Sequence, residues 1–390
     1  MSRFLGWGAS FGLLLSGVAV AQAPAIIGAH RTTQDRPANI AELSNRSTEI
    51  ATPDAAYIKV NFSEVELPIG YTLEVSNRDG TEVYRYTSGK RDEFTVDESL
   101  GQDGKRSFSA MSITGNTAIV RVVGKSESKA APRVVIGSYF EGYPEDVMPE
   151  LKSRGLLSRT PQNKSICGVD DKRDVACYST TSLPYTKSGP IARLLIGGSS
   201  LCTGWRVGSG DRMLTNNHCF TTSSQARATE VWFNYQRSSC GSTTNAATTK
   251  VAGSSVLKTN STLDYTLFTV ASPSTISGFG FLSLDVRAPV TNETIFIVQH
   301  PAGKPKQIGS ISDRDGSVGC RVNVASATGG ATGSDLGYFC DTEGGSSGSP
   351  VLARSSGKVI GLHHLGGCTN QGVRIDRIWP QISSFFSGVP

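Results

Sequence analysis

Three short segments carry residue types that together could break an acyl bond. Gly344-Gly345-Ser346-Ser347-Gly348-Ser349-Pro350 lies between Phe339-Cys340 and the apolar pair Val351-Leu352. A serine nucleophile has to stand on a tight turn with backbone N–H groups aimed at one point, and glycines allow that turn and a close substrate approach. Ser347 is the expected nucleophile, with the N–H groups of Gly345 and Ser347 as the oxyanion site. Alone, such a stretch is more often a flexible turn, but two other segments support it. Leu214-Thr215-Asn216-Asn217-His218-Cys219 ends an apolar run in a histidine, and Cys202 stands seventeen residues before Cys219. That reach suits a disulfide closing the loop around His218, which then reads as a general base. Between His218 and Ser347 lie Asp264, Asp285, Asp313, Asp315, Asp335 and Asp341. Asp264 opens the alternating run Leu263–Val270, whereas the others stand among Gly, Arg or Ser. A carboxylate heading a buried strand can accept the imidazole N–H and hold the useful tautomer. Asp264 is therefore the expected third member and Asp285 the second choice.

These residues need β elements to hold them, and the composition supplies them. The chain has 390 residues, 38% hydrophobic and 18% charged, with 43 glycines. Short apolar runs separated by Gly, Asn, Asp or Ser, with few 3.6-residue periods, predict an all-β protein with room for two or three cores. The net charge of +5 is scattered, which excludes a nucleic-acid partner. Arg3, the apolar run Phe11 to Val20 and Ala19-Val20-Ala21 before Gln22 read as a secretory signal over 1–21; the alternative cut, after Ala23, would put Pro24 next to it. That run is too short to span a bilayer, and no later one is long enough. A secreted protein without membrane insertion is expected. All eight cysteines fall between Cys167 and Cys368, and an even count in an exported chain suggests four disulfides. No C-x₂₋₄-C pair occurs and His218-Cys219 has no second pair at ligand spacing, so neither a metal nor an organic cofactor is expected.

The chain divides into parts of different grammar. Residues 22–50 form a polar N-terminal segment. Residues 51–130 read as a small β-sandwich-like domain, with alternation at Ile58, Val60 and Phe62 and at Leu73 and Val75. Asn77-Arg78-Asp79-Gly80 supplies a hairpin turn before Val83–Tyr86, and Met111, Ile113 and Ala118 to Val123 add strands. This domain shows no chemistry of its own. It is a pro-domain, an accessory binding module or a folding aid, able to inhibit or dock on the second half of the chain. Residues 131–164 connect, with one short helix over Pro144 to Leu157 and a basic linker, Ser158 to Lys164, open to cleavage after Lys164. Residues 165–390 carry the chemistry, with one helix near Asp376 to Phe386.

Residues 165–390 resemble the chymotrypsin-like serine peptidases, and within them the bacterial lysyl endopeptidase group. The matching pieces are Ser165-Ile166-Cys167, Arg173-Asp174-Val175, Leu201-Cys202-Thr203-Gly204, Leu214-Thr215 with His218-Cys219, and Val231-Trp232-Phe233-Asn234-Tyr235-Gln236 before Cys240. Asp264-Tyr265-Thr266-Leu267, His300-Pro301 and Gly345 to Pro350 complete them. The order His, Asp, Ser is that of the chymotrypsin type. The resemblance implies two antiparallel six-stranded barrels, with the triad between them and a secreted serine endopeptidase acting on protein or peptide substrates. It also implies bridges Cys167–Cys368, Cys177–Cys240 and Cys202–Cys219. Cys320 and Cys340 have no counterpart in that group and pair by exclusion.

The same resemblance frames specificity. Lysine preference in that group depends on an aspartate shortly after the cysteine matching Cys368, where this chain has Asn370. Asp341 stands where trypsin-like enzymes carry a pocket-base aspartate, which would favour Lys or Arg at P1; against this, it could merely cap the turn after Cys340. His364 is expected on the pocket wall, and because histidine there also occurs in glutamate-specific relatives, an acidic or small P1 residue stays open. His363 reads as a strand residue and His300-Pro301 as a loop feature. Ser346 replaces the aspartate that in animal enzymes receives the new N-terminal amine, so zymogen activation here would have to unblock the cleft. The rival reading is a catalytically silent binding protein on a peptidase scaffold.

Overall fold

The structure is a computed structural model that describes residues 20–21, 24–32, 47–87, 94–125, 130–153, 165–316 and 319–390. Nearly all of the signal 1–21, most of the segment 22–50 and the linker Ser158 to Lys164 with its cut lie outside the described residues.

Period-2 alternation in the first half produces two antiparallel sheets face to face. One runs in the order Gly28–Thr32, Arg133–Gly142, Tyr57–Glu66, Phe108–Ala110, Phe94–Thr95; the other runs Ser47–Ala51, Thr117–Gly124, Tyr71–Ser76, Val83–Thr87. Ile58, Val60 and Phe62 of the first meet Leu73, Val75, Tyr86 and Val120 of the second in one core, as in a sandwich. The Asn77–Gly80 turn forms, with Gly80 at φ 72° and its N–H donating to the Asn77 carbonyl (3.3 Å). Of the helix expected over Pro144 to Leu157, the described part is Met148–Ser153.

In the second half six strands close into a barrel: Ile191–Ile196, Ser200–Arg206, Arg212–Thr215, Thr229–Phe233, Thr249–Asn260 and Tyr265–Val270. Closure comes from Ile191–Ile196, which pairs with both Ser200–Arg206 and Thr229–Phe233. Strands from Ile295–Gln299 to Asn370–Arg374 build a second sheet that curls into a half-barrel, where one bridge joins Thr294 to Arg321. Trp205, Leu214 and Leu267 of the first barrel share a core with Phe296, Leu352, Leu362 and Val373 of the second. The C-terminal helix, Ile375–Ile382, buries Ile375, Ile378 and Ile382 in that core, and a 3-10 turn, Ser383–Phe385, comes after it. Two shorter helices, Leu183–Thr186 and Ser223–Arg227, form where the sequence pattern predicts none. Disulfides join Cys167 to Cys368, Cys177 to Cys240, Cys202 to Cys219 and Cys320 to Cys340. No described helix is long and apolar enough to cross a membrane.

Candidate active site

The shared core places the ends of Arg212–Thr215 and Tyr265–Val270 beside each other, so His218 and Asp264 meet just beyond them. Asp264 Oδ1 accepts the His218 backbone N–H (2.9 Å) and Oδ2 accepts from His218 Nδ1 (2.7 Å). The Asp264 carbonyl accepts from Asn216 Nδ2 (2.8 Å). These bonds hold Asp264 at φ 44°, a left-handed conformation that costs a non-glycine residue about 1–3 kcal/mol. Burial pushes the Asp264 carboxyl up, but hydrogen bonds and charge from His218 and His364 outweigh it and hold the group well below the usual carboxylate range. An acceptor on Nδ1 leaves His218 Nε2 free to act as a base.

The serine turn is tied to the same strands. Thr203 donates its N–H to the Ser347 carbonyl (2.8 Å) and its hydroxyl to the Gly345 carbonyl (2.9 Å). Thr203 comes directly after Cys202, whose bridge to Cys219 clamps the residue next to His218. Gly345 and Gly348 have φ of 95° and 89°. A side chain at Gly345 would come within 2.7 Å of Leu201, and one at Gly348 would run into the Thr203 carbonyl. Ser346 is fully buried and donates its hydroxyl to Gln299 Oε1 (2.5 Å) while accepting the Glu343 N–H (3.0 Å). A neutral hydrogen bond thus anchors the turn where animal enzymes use an ion pair. Ser347 Oγ and His218 Nε2 are both buried without a hydrogen-bond partner, and among the described residues neither the Gly345 nor the Ser347 N–H has one. Orphaned buried polar groups are rare in a folded chain. Those of His218 and Ser347 are among several in this chain, and they stand on the two residues whose chemistry needs a substrate.

His364, expected on the pocket wall, is buried between two carboxylates. Its Nδ1 faces Asp264 Oδ2 (3.1 Å) and its Nε2 faces Asp335 Oδ2 (2.6 Å). Two acceptors require both nitrogens to carry protons. Burial lowers its pKa, but the two carboxylates prevail and raise it to about 9. Sequence reasoning misses Asp335 in favour of Asp264, although Asp335 too opens an alternating strand, Asp335–Tyr338. That shared signature is the signal that could have found it.

The other residues suggested for a substrate pocket are engaged elsewhere. Asp341 accepts the backbone N–H groups of Cys167 and Asp171, both at 2.8 Å, and burial pushes its carboxyl up. Asn370 donates to the carbonyls of Ser165 and Cys340, both at 2.8 Å, and accepts the Gly367 N–H. Asp285 pairs with Arg287 (2.9 Å), away from His218. His363 accepts from the Tyr338 hydroxyl (2.7 Å), with burial lowering its pKa to about 3. His300 is buried, with Nδ1 on the Lys304 carbonyl (3.2 Å). Cys202, His218 and Cys219 bring three potential metal-binding atoms together. Both sulfurs are spent in a disulfide, so no thiolate remains to bind zinc.

A closed barrel and a curled half-barrel with serine, histidine and aspartate gathered at their junction define a chymotrypsin-like serine peptidase scaffold. The family model of the lysyl endopeptidase C-terminal domain matches residues 169–376, and the chain belongs to the lysyl endopeptidase family. A curated relative, the secreted RxLR effector protein 73 of Plasmopara viticola, is 31% identical over 353 residues, covering 88% of this chain and 83% of its own. Among solved structures, a Glu endopeptidase in complex with MPD is 21% identical, with a TM-score of 0.41 over 56% of this chain and 98% of its own. The active form of the Rv3671c protease from M. tuberculosis is 15% identical, with a TM-score of 0.37 over 60% of this chain and 95% of its own.

Proposed function

We propose that this protein is a secreted serine endopeptidase that cleaves peptide bonds through an acyl-enzyme. The observation that carries the reading is the double acceptance of His218 by Asp264, with His218 Nε2 and Ser347 Oγ left buried and unpartnered. His218 takes the Ser347 proton as Oγ attacks the substrate carbonyl, and the N–H groups of Gly345 and Ser347 hold the oxyanion. The C–N bond then breaks as His218 passes its proton to the leaving amine. Water, deprotonated by His218, releases the acid and restores Ser347. Export is supported by the N-terminal pattern, the four disulfides and the name of the curated relative. A separate peptidase unit from residue 165 belongs to the same proposal; the unit before it extends beyond 51–130, because Gly28–Thr32, Ser47–Ala51 and Arg133–Gly142 pair within its two sheets.

The family name suggests lysine at P1. Asp341 already satisfies two backbone donors and Asn370 carries no charge, so neither offers the free carboxylate that a Lys or Arg side chain needs. An acidic or small P1 residue rather than Lys or Arg is therefore the expected preference. The test is labelling with a fluorophosphonate, then peptide-library cleavage. Wild type should label on Ser347 and cut the library, while Ser347→Ala does neither. A folded wild type that neither labels nor cuts refutes the peptidase and supports the silent binding scaffold. Cleavage confined to Lys and Arg refutes that preference.

A further inference from the structure

Arg193, on Ile191–Ile196, pairs across the first barrel with Thr203 on one side and Trp232 on the other. Directly paired residues share a face of the sheet. The Arg193 side chain therefore leaves the barrel on the side where the Thr203 hydroxyl holds the Gly345 carbonyl. It ends among three aromatic rings. The guanidinium carbon lies 4.4 Å from the Trp232 ring centroid, 4.7 Å from that of Tyr235 and 5.8 Å from that of Tyr57. Tyr57 belongs to an N-terminal sheet and the other two to the second half of the chain, so this box spans the seam between them.

The box holds a charge that nothing nearby balances. Arg193 is only 4% exposed. Among the described residues its side chain has no ion-pair partner and no hydrogen-bond acceptor, and its Nε is sealed from solvent. The carboxylates beside the box are already committed, Glu230 to Lys59 and Glu82 to Lys250. Both Glu230 oxygens are also taken up by Ser112 and Trp232. Other buried bases on this side can shed their protons. Burial drives Lys306 to about 7, and it pushes His300, whose ring centroid lies 6.1 Å from that of Tyr235, well below its ordinary value. A guanidinium has no such escape. Ring faces attract its charge but leave its N–H donors unfilled, and a buried charge without a partner is costly.

We propose that Arg193 binds a small monovalent carboxylate, of the size of formate or acetate, through its two outer nitrogens. The single charge follows from one unmatched cation. The chemistry follows from the planar fork, which suits two parallel bonds to a carboxylate. The size follows from access: Nη1 and Nη2 are not sealed as Nε is, yet the side chain is almost wholly enclosed. The bound anion closes the seam between the halves, one strand away from the residue that holds the serine turn.

The test uses the full-length chain carrying Ser347→Ala, so that no cleavage intervenes. Sodium formate replaces sodium chloride at constant ionic strength while tryptophan fluorescence is read, because Trp232 lies against the guanidinium. A saturable change is expected, with a dissociation constant no tighter than about 0.5 mM, the ceiling for a ligand of three non-hydrogen atoms. The urea midpoint should rise over the same range, since the anion binds the folded chain alone. Arg193→Lys keeps the charge without the fork and should bind formate at least about tenfold more weakly. Arg193→Met should show neither response. A flat wild-type titration overturns the site and leaves the ring faces to carry the guanidinium alone. Equal formate affinity in Arg193→Met overturns it too, because the anion then sits elsewhere. Equal affinity in Arg193→Lys overturns the two-bond geometry. Should Arg193→Met fail to fold, the wild-type and Arg193→Lys titrations decide.

Discussion

His364 and Lys306 are buried groups whose protons should govern how stability responds to pH. His364 has a folded pKa of about 9 against an ordinary 6.5. Its stabilisation is complete below pH 6.5 and is lost as pH rises through 9, a swing of about 3 kcal/mol. Lys306, with Nζ on the Ser188 carbonyl (2.9 Å), is driven by burial to about 7 from an ordinary 10.5. The folded chain then binds fewer protons than the unfolded one between pH 7 and 10.5, so this residue makes stability rise with pH. The two slopes oppose each other from pH 7 to 9. Thermal midpoints of the wild type should therefore be nearly flat over that range, while those of Lys306→Met fall with pH. Adding Asp335→Asn to Lys306→Met removes one of the two carboxylates that hold the His364 proton and should flatten the curve again. A Lys306→Met midpoint that does not fall would show that His364 lacks the raised affinity for its proton.

At the scale of elements, the clamp and the turn decide whether the three residues meet. The Cys202–Cys219 bridge spans a separation of 17 residues, and a loop of that length is worth about 3 kcal/mol. Replacing both cysteines by serine should lower the urea midpoint accordingly and slow fluorophosphonate labelling further, because the same loop positions His218. Gly348→Ala should be equally harmful for a different reason, a positive φ combined with a Cβ against the Thr203 carbonyl. Urea melts and labelling rates check both; wild-type labelling in either variant would refute the positioning argument. Much of this is legible in the sequence, since the alternating runs before His218 and after Asp264 are long enough to betray strands. The link from His364 to Asp335 is not, because it joins two strands that come close only by both pairing with Asn370–Arg374, an order the sequence does not declare. The helix Ser223–Arg227 is too short to show a period, although its capping box, Thr222 with Gln225, stands in the sequence.

For the whole molecule the question is what binds the two halves. Lys59 lies at a polar position between Ile58 and Val60, and alternation alone puts it in solvent. In the structure both faces of its strand are covered, and Lys59 pairs with Glu230 of the first barrel, each almost fully buried. Glu230 also accepts from Ser112 N–H (3.0 Å), Ser112 Oγ (2.7 Å) and Trp232 Nε1 (2.8 Å). Lys250 pairs with Glu82 and lies over the Trp232 ring, and the Arg193 guanidinium lies 4.4 Å from the centroid of that same ring. Tyr57 donates its hydroxyl to the Gly198 carbonyl (2.8 Å). Taking charges out of water is costly unless they stay paired, so removing one partner is far worse than removing both. Glu230→Gln should cost about 3–5 kcal/mol and should release the N-terminal sheets before the barrels melt, giving two urea transitions by Trp232 fluorescence. Lys59→Met with Glu230→Gln removes both charges while keeping an acceptor for Ser112 and Trp232, and should restore a single transition near the wild-type midpoint. If Glu230→Gln instead melts in one unshifted step, the ion pair does not hold the halves together. The Lys250–Glu82 pair, the Tyr57 hydroxyl and the packing of Ile27 against Leu195, Leu201 and Trp232 would then have to carry the interface.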